Sequence, residues 1–204
     1  VALPKGLGYC LGFKDVTAPT NVRTMIAAML PASGFGNTLP VLLPQDEAAQ
    51  PAYARTAALL LANLSSFAFD FVARQKVQGQ HVNWFVVEQL PVITPARFDE
   101  PLPAPFAAAM RAARLMNGRH PRPTVADFVI PQVLALSYSA HDLAPFARDL
   151  GFVDAAGQVL APLPWDEEQR RTRLAALDAL FFWLYGLGAD DAAYVLGSFP
   201  IVRE

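Results

Sequence analysis

Residues 51–87 read PAYARTAALLLANLSSFAFDFVARQKVQGQHVNWFVV and contain two helical patterns, a polar run and an apolar segment. Pro51 suits a first helical turn, where its missing N–H costs nothing. Apolar residues recur at helical spacing at Ala57, Leu60, Leu61 and Leu64, and again at Phe67, Phe71 and Val72. The β-branched and aromatic residues 81–87 predict a short strand that Pro91 closes. The stretch therefore predicts two helices, the second ending at Gly79, and a strand.

Upstream of this stretch, short extended segments are separated by turn residues. Residues 9–13, 23–30 and 38–43 are bounded by turn-forming residues, and residues 33–37 (SGFGN) form a turn between the last two segments. The N-terminal part of the chain therefore predicts a small β-rich unit, to which the two helices belong.

Downstream, prolines punctuate residues 93–102, which we interpret as a connector. Helical patterns follow at about 103–117, 124–136, 140–150, 165–186 and 191–196. The predicted fold class is α+β, with a β-rich unit and two helices over residues 1–92. An all-helical unit over residues 103–204 follows the connector.

Composition excludes some classes of site. Cys10 is the one cysteine, so an internal disulfide and a cysteine-based metal site are ruled out. No run of about 18 apolar residues lacks a charge or a proline, so we expect no membrane span. No basic segment precedes an apolar one at the N-terminus, so we expect no signal peptide and a cytoplasmic location.

The net charge of −2 conceals an uneven distribution. Residues 1–126 hold eleven Lys and Arg against seven Asp and Glu, a balance of +4, whereas residues 127–204 hold five against eleven, a balance of −6. Such asymmetry is typical of a chain in which one half faces a polyanion. Chance variation in a solvated surface is the alternative interpretation.

Patterns that carry catalysis are missing. A methyltransferase needs a glycine-rich loop after a strand, and residues 6–8 (GLG) and 34–36 (GFG) are too short and poorly placed. It also needs a polar-Pro-Pro-aromatic tetrapeptide, and the chain has no Pro-Pro pair. A nuclease needs clustered carboxylates with a lysine around a metal, and the acidic patches at 46–47 and 166–168 have no such lysine. We predict no catalytic, cofactor-binding or metal-binding residue in this chain.

Three ordered stretches carry a resemblance to one family. The first covers residues 13–17 (FKDVT), 21–28 (NVRTMIAA) and 30–31 (LP). The second covers residues 61–66, 69–76, 79–83 and 88–92, and the third covers residues 174–187, 190–196 and 198–202. In that order, they resemble the C-terminal target-recognition regions of type IIG restriction enzymes and of related phage-defence methylases. Residues 93–164 match this family weakly.

The resemblance implies a function for the chain. Family members join an adenine-specific DNA methyltransferase, often with a nuclease, to a target-recognition domain, and their catalytic motifs lie upstream of it. This chain would then recognise a sequence in double-stranded DNA for a methyltransferase domain in the same chain or a separate subunit. S-adenosylmethionine would bind to the parent enzyme, and this chain alone would not catalyse. The alternative is a module that docks partner subunits, which the acidic residues 127–204 favour for the C-terminal helices.

Two groups of polar residues are candidate DNA contacts. The first is the run Arg74, Lys76, Gln78, Gln80, His81 and Asn83. Arg and Lys neutralise phosphates, while Gln and Asn pair with adenine edges in the major groove. The second is a basic patch from 111 to 122, in which Arg111 and Arg114 share a helix face. Solvated turns and helix ends are the alternative interpretation of both groups.

Arg23 and the aromatic residues also have two interpretations each. Arg23 can contact a phosphate or pair with Asp15, and we favour the ion pair because a partly buried arginine needs a partner. Trp84 is a candidate for stacking on a base. The other aromatic residues of the apolar stretches are expected to pack in the core, namely Phe85, Trp165, Phe181, Phe182 and Trp183. Tyr185 and Tyr194 are expected to pack the last two helices together.

Overall fold

The computed structural model describes residues 3–18, 20–77, 79–112 and 122–199, with the backbone alone at 111 and 112. Within these residues the chain forms a three-stranded antiparallel sheet and eight α-helices. The predicted α+β fold class is confirmed. Strand β1 (Tyr9–Phe13) lies between β2 (Ala27–Pro31) and β3 (Val41–Leu42).

Strand β1 is buried along its whole length. It pairs with β2 from Tyr9 opposite Pro31 to Phe13 opposite Ala27, and Leu11 lies opposite Leu42 of β3. Tyr53 fixes this sheet to the first helix, since its hydroxyl accepts from Leu11 N at 2.8 Å and donates to Leu42 O at 2.6 Å. The sheet and the first helix therefore form one packed unit.

The two predicted helices of the 51–87 stretch are confirmed as α1 (Gln50–Leu64) and α2 (Phe67–Lys76). Pro51 lies in the first turn of α1, and the hydroxyl of Ser66 caps α2 by accepting from Phe69 N. No single helix in the described part of the chain is long and apolar enough to cross a membrane. Two consecutive helical segments, Glu47–Leu64 and Phe67–Lys76, meet this criterion of length and composition only when they are taken together, and they are bent by 68°.

The predicted strand at residues 81–87 is wrong. Only His81 forms a β-bridge, opposite Val16, and the chain then enters a short helix, α3 (Trp84–Val87). The buried residues Val82, Val86 and Leu90 are spaced by four, which is the spacing of a helix face. Because residues 81–87 are rich in β-branched and aromatic residues, their composition predicts a strand, and the helical spacing is not evident from the sequence.

Helices α4 to α8 make up the second half of the chain. Thr124 and Asp127 form a capping box at the start of α5, and Asp166 caps α7, whose first turn carries Glu167 and Glu168. The bounds are α4 Ala104–Ala112, α5 Val125–Ser137, α6 Ala144–Asp149, α7 Glu167–Leu184 and α8 Ala189–Gly197. The predicted residues 113–117 of α4 lie outside the described residues.

One hydrophobic core contains residues from both sides of the predicted connector. Phe98, within a 3-10 turn at Pro95–Asp99, is buried and its ring lies 6.3 Å from that of Phe181. Val125 N donates to Glu100 O at 3.0 Å. Helix α1 also packs along α5. Residues 93–102 therefore do not separate two cores.

Candidate nucleic-acid interface

Residues 80–82 are fixed against the chain that continues from β1. Thr17 N donates to Gln80 O and Val82 N donates to Asp15 O, each at 2.8 Å. The side chain of Val82 is buried and belongs to the hydrophobic core, which anchors the segment. The neighbouring side chains of Gln80, His81 and Asn83 are consequently held at the surface on a defined backbone.

Four exposed residues of the predicted polar run meet at one place, which we call the polar edge: Lys76, Gln80, His81 and Asn83. They line a depression of about 430 Å³ together with Val77, Gly79, Phe85, Val86 and Gln89. His81 Nδ1 lies 2.8 Å from Asp15 Oδ2, which orients the imidazole. Asn83 precedes α3 without a capping hydrogen bond from its side chain, so its amide is not committed to the helix.

Arg74 does not belong to the polar edge. Its side chain is only 13% exposed. Its Nε donates to Thr24 Oγ1 at 3.2 Å and its Nη2 donates to Asn21 O at 2.8 Å, while its guanidinium carbon lies 4.3 Å from the centre of the Phe199 ring. The guanidinium therefore holds the backbone near residue 21.

Asp70 binds the backbone that follows residue 21 from the interior of the protein. Its carboxylate is fully buried and accepts from Thr24 N at 2.9 Å and from Met25 N at 2.6 Å. Arg74 Nη2 lies 3.8 Å from it. Burial raises the pKa of Asp70, although these two N–H donors and the nearby arginines oppose the rise. We call residues 21–26, which this network holds, the clamped segment.

Arg23 completes the network with a partner that differs from the predicted one. Its Nη2 donates to Asp178 Oδ2 of α7 at 3.0 Å, and Asp178 Oδ1 also accepts from Phe67 N at 2.7 Å. The guanidinium carbon lies 3.1 Å from the centre of the Phe67 ring. Burial raises the pKa of Asp178 and lowers that of Arg23. The predicted pair with Asp15 is wrong, because Asp15 faces His81, but the favoured structural role of Arg23 is confirmed.

For the remaining candidate contacts, the described part of the chain does not include the side chains. Gln78 and Arg114 lie outside the described residues. Arg111 lies in α4, where only the backbone is described. These three residues stay predictions.

The aromatic expectations are partly wrong. Phe181 and Phe182 are buried as predicted, but Trp165 is 64% exposed beneath Arg170. Phe85 is 62% exposed and Trp183 is 42% exposed, so these two residues are not core residues either. Phe85 lies on the depression of the polar edge, and the neighbouring Trp84 contacts Phe13 edge-on at 5.2 Å while staying partly exposed. Sequence reasoning missed Phe85. Its offset by one residue from the buried Val86 was the signal that could have found it.

Tyr185 and Tyr194, the two tyrosines near the end of the chain, have different roles. Tyr185 packs against a small buried cluster of α2, α7 and α8, as expected, and it also reaches α1. Its hydroxyl accepts from Asn63 Nδ2 at 2.6 Å and donates to Pro91 O at 2.8 Å. Burial raises the pKa of Tyr185 to about 12, so the hydroxyl stays protonated. Tyr194 is exposed and contacts the Phe71 ring of α2 edge-on at 6.1 Å, so its expected packing between the last two helices is wrong.

Other reactive groups lie apart from the polar edge. Burial raises the pKa of the Cys10 thiol to about 11, so the thiol stays protonated at neutral pH. In the described part of the chain, no three His, Cys, Asp or Glu side chains are placed to share a metal ion. No family model, no curated protein and no solved structure matches this chain.

Proposed function

We propose that this chain recognises a sequence in duplex DNA and orients an adenine methyltransferase domain, in the same chain or a separate subunit, on that site. The observation that carries the proposal is the polar edge. Lys76, Gln80, His81 and Asn83 were candidates from sequence, and they lie exposed around one depression. The resemblance to type IIG target-recognition regions supports the choice of DNA as the ligand.

The chemistry of the polar edge suits the major groove. The Lys76 ammonium supplies a phosphate contact, and the amides of Gln80 and Asn83 each carry a donor and an acceptor that match the N6 and N7 of adenine. Phe85 adds an apolar surface for a thymine methyl group. Because the backbone of residues 80–82 is hydrogen-bonded to residues 15–17, the backbone that carries Gln80 and Asn83 would be positioned before DNA arrives.

The salt dependence of DNA binding tests the phosphate contact. Lys76→Ala should lower the slope of log affinity against log salt by about 0.9, because the variant neutralises one phosphate fewer. The matched control is Arg148→Ala, which removes an exposed cation on α6. Both variants are measured by fluorescence anisotropy with a labelled duplex, on this chain and on its complex with the methyltransferase domain.

Base selection tests the amides. Gln80→Ala and Asn83→Ala should each change the preference among DNA sites by about 1–3 kcal/mol, which is the discrimination that one bidentate pairing with a base provides. The preference is read from methylation of a randomised duplex library by the complex. If Lys76→Ala leaves the salt slope unchanged and neither amide variant alters the preferred site, the polar edge does not contact DNA. The docking function would then explain the chain better.

A further inference from the structure

An open apolar groove of about 950 Å³ lies between the clamped segment, α7 and α8. Val22 and Ile26 of the clamped segment line it, and so do Leu174 and Trp183 of α7. These four side chains are between 38% and 47% exposed. A contiguous group of large, partly exposed apolar side chains is typical of an interaction surface.

The walls of this groove are fixed in place. The clamped segment is bound through the buried carboxylate of Asp70, and Asp178 ties Arg23 to the start of α2. A surface that is ordered before binding loses little conformational entropy when a partner docks. The buried charges next to the groove therefore keep its shape constant.

Among the charged side chains that line the groove, arginines outnumber carboxylates. Arg171 lies exposed on the wall, and no carboxylate of the described residues is within ion-pair distance of it. Arg23 Nη1 is buried without a hydrogen-bond partner among the described residues. Asp178 is the one carboxylate on the described wall, and it already binds Arg23 and Phe67 N. An occupant with a negative charge is thus favoured.

The geometry excludes strand addition on the clamped segment. Thr24 N and Met25 N donate to Asp70, and Ile26 O accepts from Lys14 N at 2.8 Å. A partner strand would find these backbone groups occupied. A helix needs no backbone bonds from its partner, and the stretch of α7 from Leu174 to Trp183 is about 14 Å long, enough for two to three turns of a second helix.

We propose that this groove binds the apolar face of an amphipathic helix from a partner protein, with an acidic side chain of that helix paired to Arg171. Leu174 and Trp183 are nine residues apart, which places them on opposite sides of α7. The apolar anchors at i, i+3 or i+4, and i+7 would therefore lie along the row between them, which is formed by Ala175, Ala179 and Phe182. The site is separate from the polar edge in its residues, so the proposal does not rest on DNA binding.

Two synthetic peptides of about 16 residues, long enough for a helix, test this proposal. Each carries leucines at i, i+3, i+4 and i+7; one has Glu beside the leucine face and the other has Gln. Binding is measured by anisotropy of the fluorescein-labelled peptides with the full chain. The Glu peptide should bind about two- to fivefold more tightly than the Gln peptide, as an exposed ion pair allows. Arg171→Gln should remove that difference, whereas Arg148→Gln should preserve it.

Separate substitutions test the apolar contact between the peptide and the groove. Trp183→Ala and Ile26→Ala should weaken both peptides about tenfold, as removal of an interface anchor does. Both side chains are partly exposed, and circular dichroism checks that the variants fold. Lys76→Ala should leave peptide binding unchanged, which separates this test from that of DNA binding.

Three results would overturn the proposal. One is the absence of binding of either peptide at about 1 mM. Another is equal binding of both peptides that Trp183→Ala does not weaken. The third is a dimer in sedimentation equilibrium that Trp183→Ala dissociates, because the occupant of the groove would then be a second copy of this chain.

Discussion

Replacing Asp70 with alanine should destabilise the whole chain, because this carboxylate is the internal anchor of the clamped segment. The carboxylate is fully buried and accepts two backbone N–H groups, those of Thr24 at 2.9 Å and Met25 at 2.6 Å. Both donor residues are themselves buried. The substitution removes the acceptor of both N–H groups.

The cost follows from these hydrogen bonds. A buried donor left without an acceptor costs about 1–3 kcal/mol, so two donors cost about 2–6 kcal/mol. Arg74 also loses its nearest carboxylate, at 3.8 Å. Burial disfavours the charged carboxylate of Asp70 and raises its pKa. Removing the carboxylate also removes this desolvation cost, which offsets part of the destabilisation. We expect a net destabilisation of about 3 kcal/mol, a large part of the roughly 5–15 kcal/mol that typical domains possess.

Urea unfolding followed by far-ultraviolet circular dichroism measures this destabilisation, and the slope against urea should stay constant. The matched control is Asp99→Ala, which breaks an exposed ion pair with Arg55 and should cost about 0–1 kcal/mol. Hydrogen exchange gives a local readout, since the amides of Thr24 and Met25 should lose protection in the Asp70 variant. A cost for Asp70→Ala no greater than that of Asp99→Ala would refute the role of the network.

Three further perturbations probe other parts of the structure. Burial raises the pKa of both Asp70 and Asp178, so the folded chain binds protons more tightly than the unfolded chain does. The free energy of unfolding should therefore fall as the pH rises from about 4 through the folded-state pKa values of these two groups. Urea titrations at several pH values measure this dependence, and Asp70→Asn should flatten it. Tyr185→Phe leaves the buried amide of Asn63 without its acceptor, and should cost about 1–3 kcal/mol by the same unfolding assay, whereas a cost near zero would show that the bond is dispensable. Gly12→Ala places a Cβ 2.6 Å from Leu30 Cδ1, which can move aside, and 3.2 Å from the backbone oxygen of Pro40, which cannot move as easily. Its thermal midpoint should therefore fall with a destabilisation of about 1 kcal/mol, and an unchanged midpoint would contradict the close approach.

Elements with a clear period or cap could be predicted from sequence. The helices α1, α2, α5 and α7 could be predicted because apolar residues recur at helical spacing and because Pro51 marks the start of α1. Residues 81–87 could not be assigned by composition, since the same β-branched and aromatic residues serve a short helix. Their tertiary environment, with pairing limited to residues 80–82, decides between the two.

The candidate site was predictable only in part, because solvent exposure is a tertiary property. Lys76 and Arg74 are two residues apart on α2, and therefore point to different sides of it. Both fit a phosphate contact by residue type, yet Arg74 binds backbone carbonyls and Lys76 is exposed. The partner of Arg23 was also out of reach, because Asp178 lies 155 residues away along the chain.

The three stretches on which the proposed relation to target-recognition regions rests are hydrogen-bonded to one another through side chains. Arg23 of the first binds Asp178 of the third, and Asp70 of the second binds the backbone of the first at Thr24 and Met25. Side chains engaged in this way can position a surface, but they cannot select a base, because their hydrogen-bonding groups are engaged within the protein. If the chain reads DNA, selection must therefore come from exposed groups carried by this frame. The amides of the polar edge meet that requirement, so base recognition is proposed there and the buried charges are assigned to positioning.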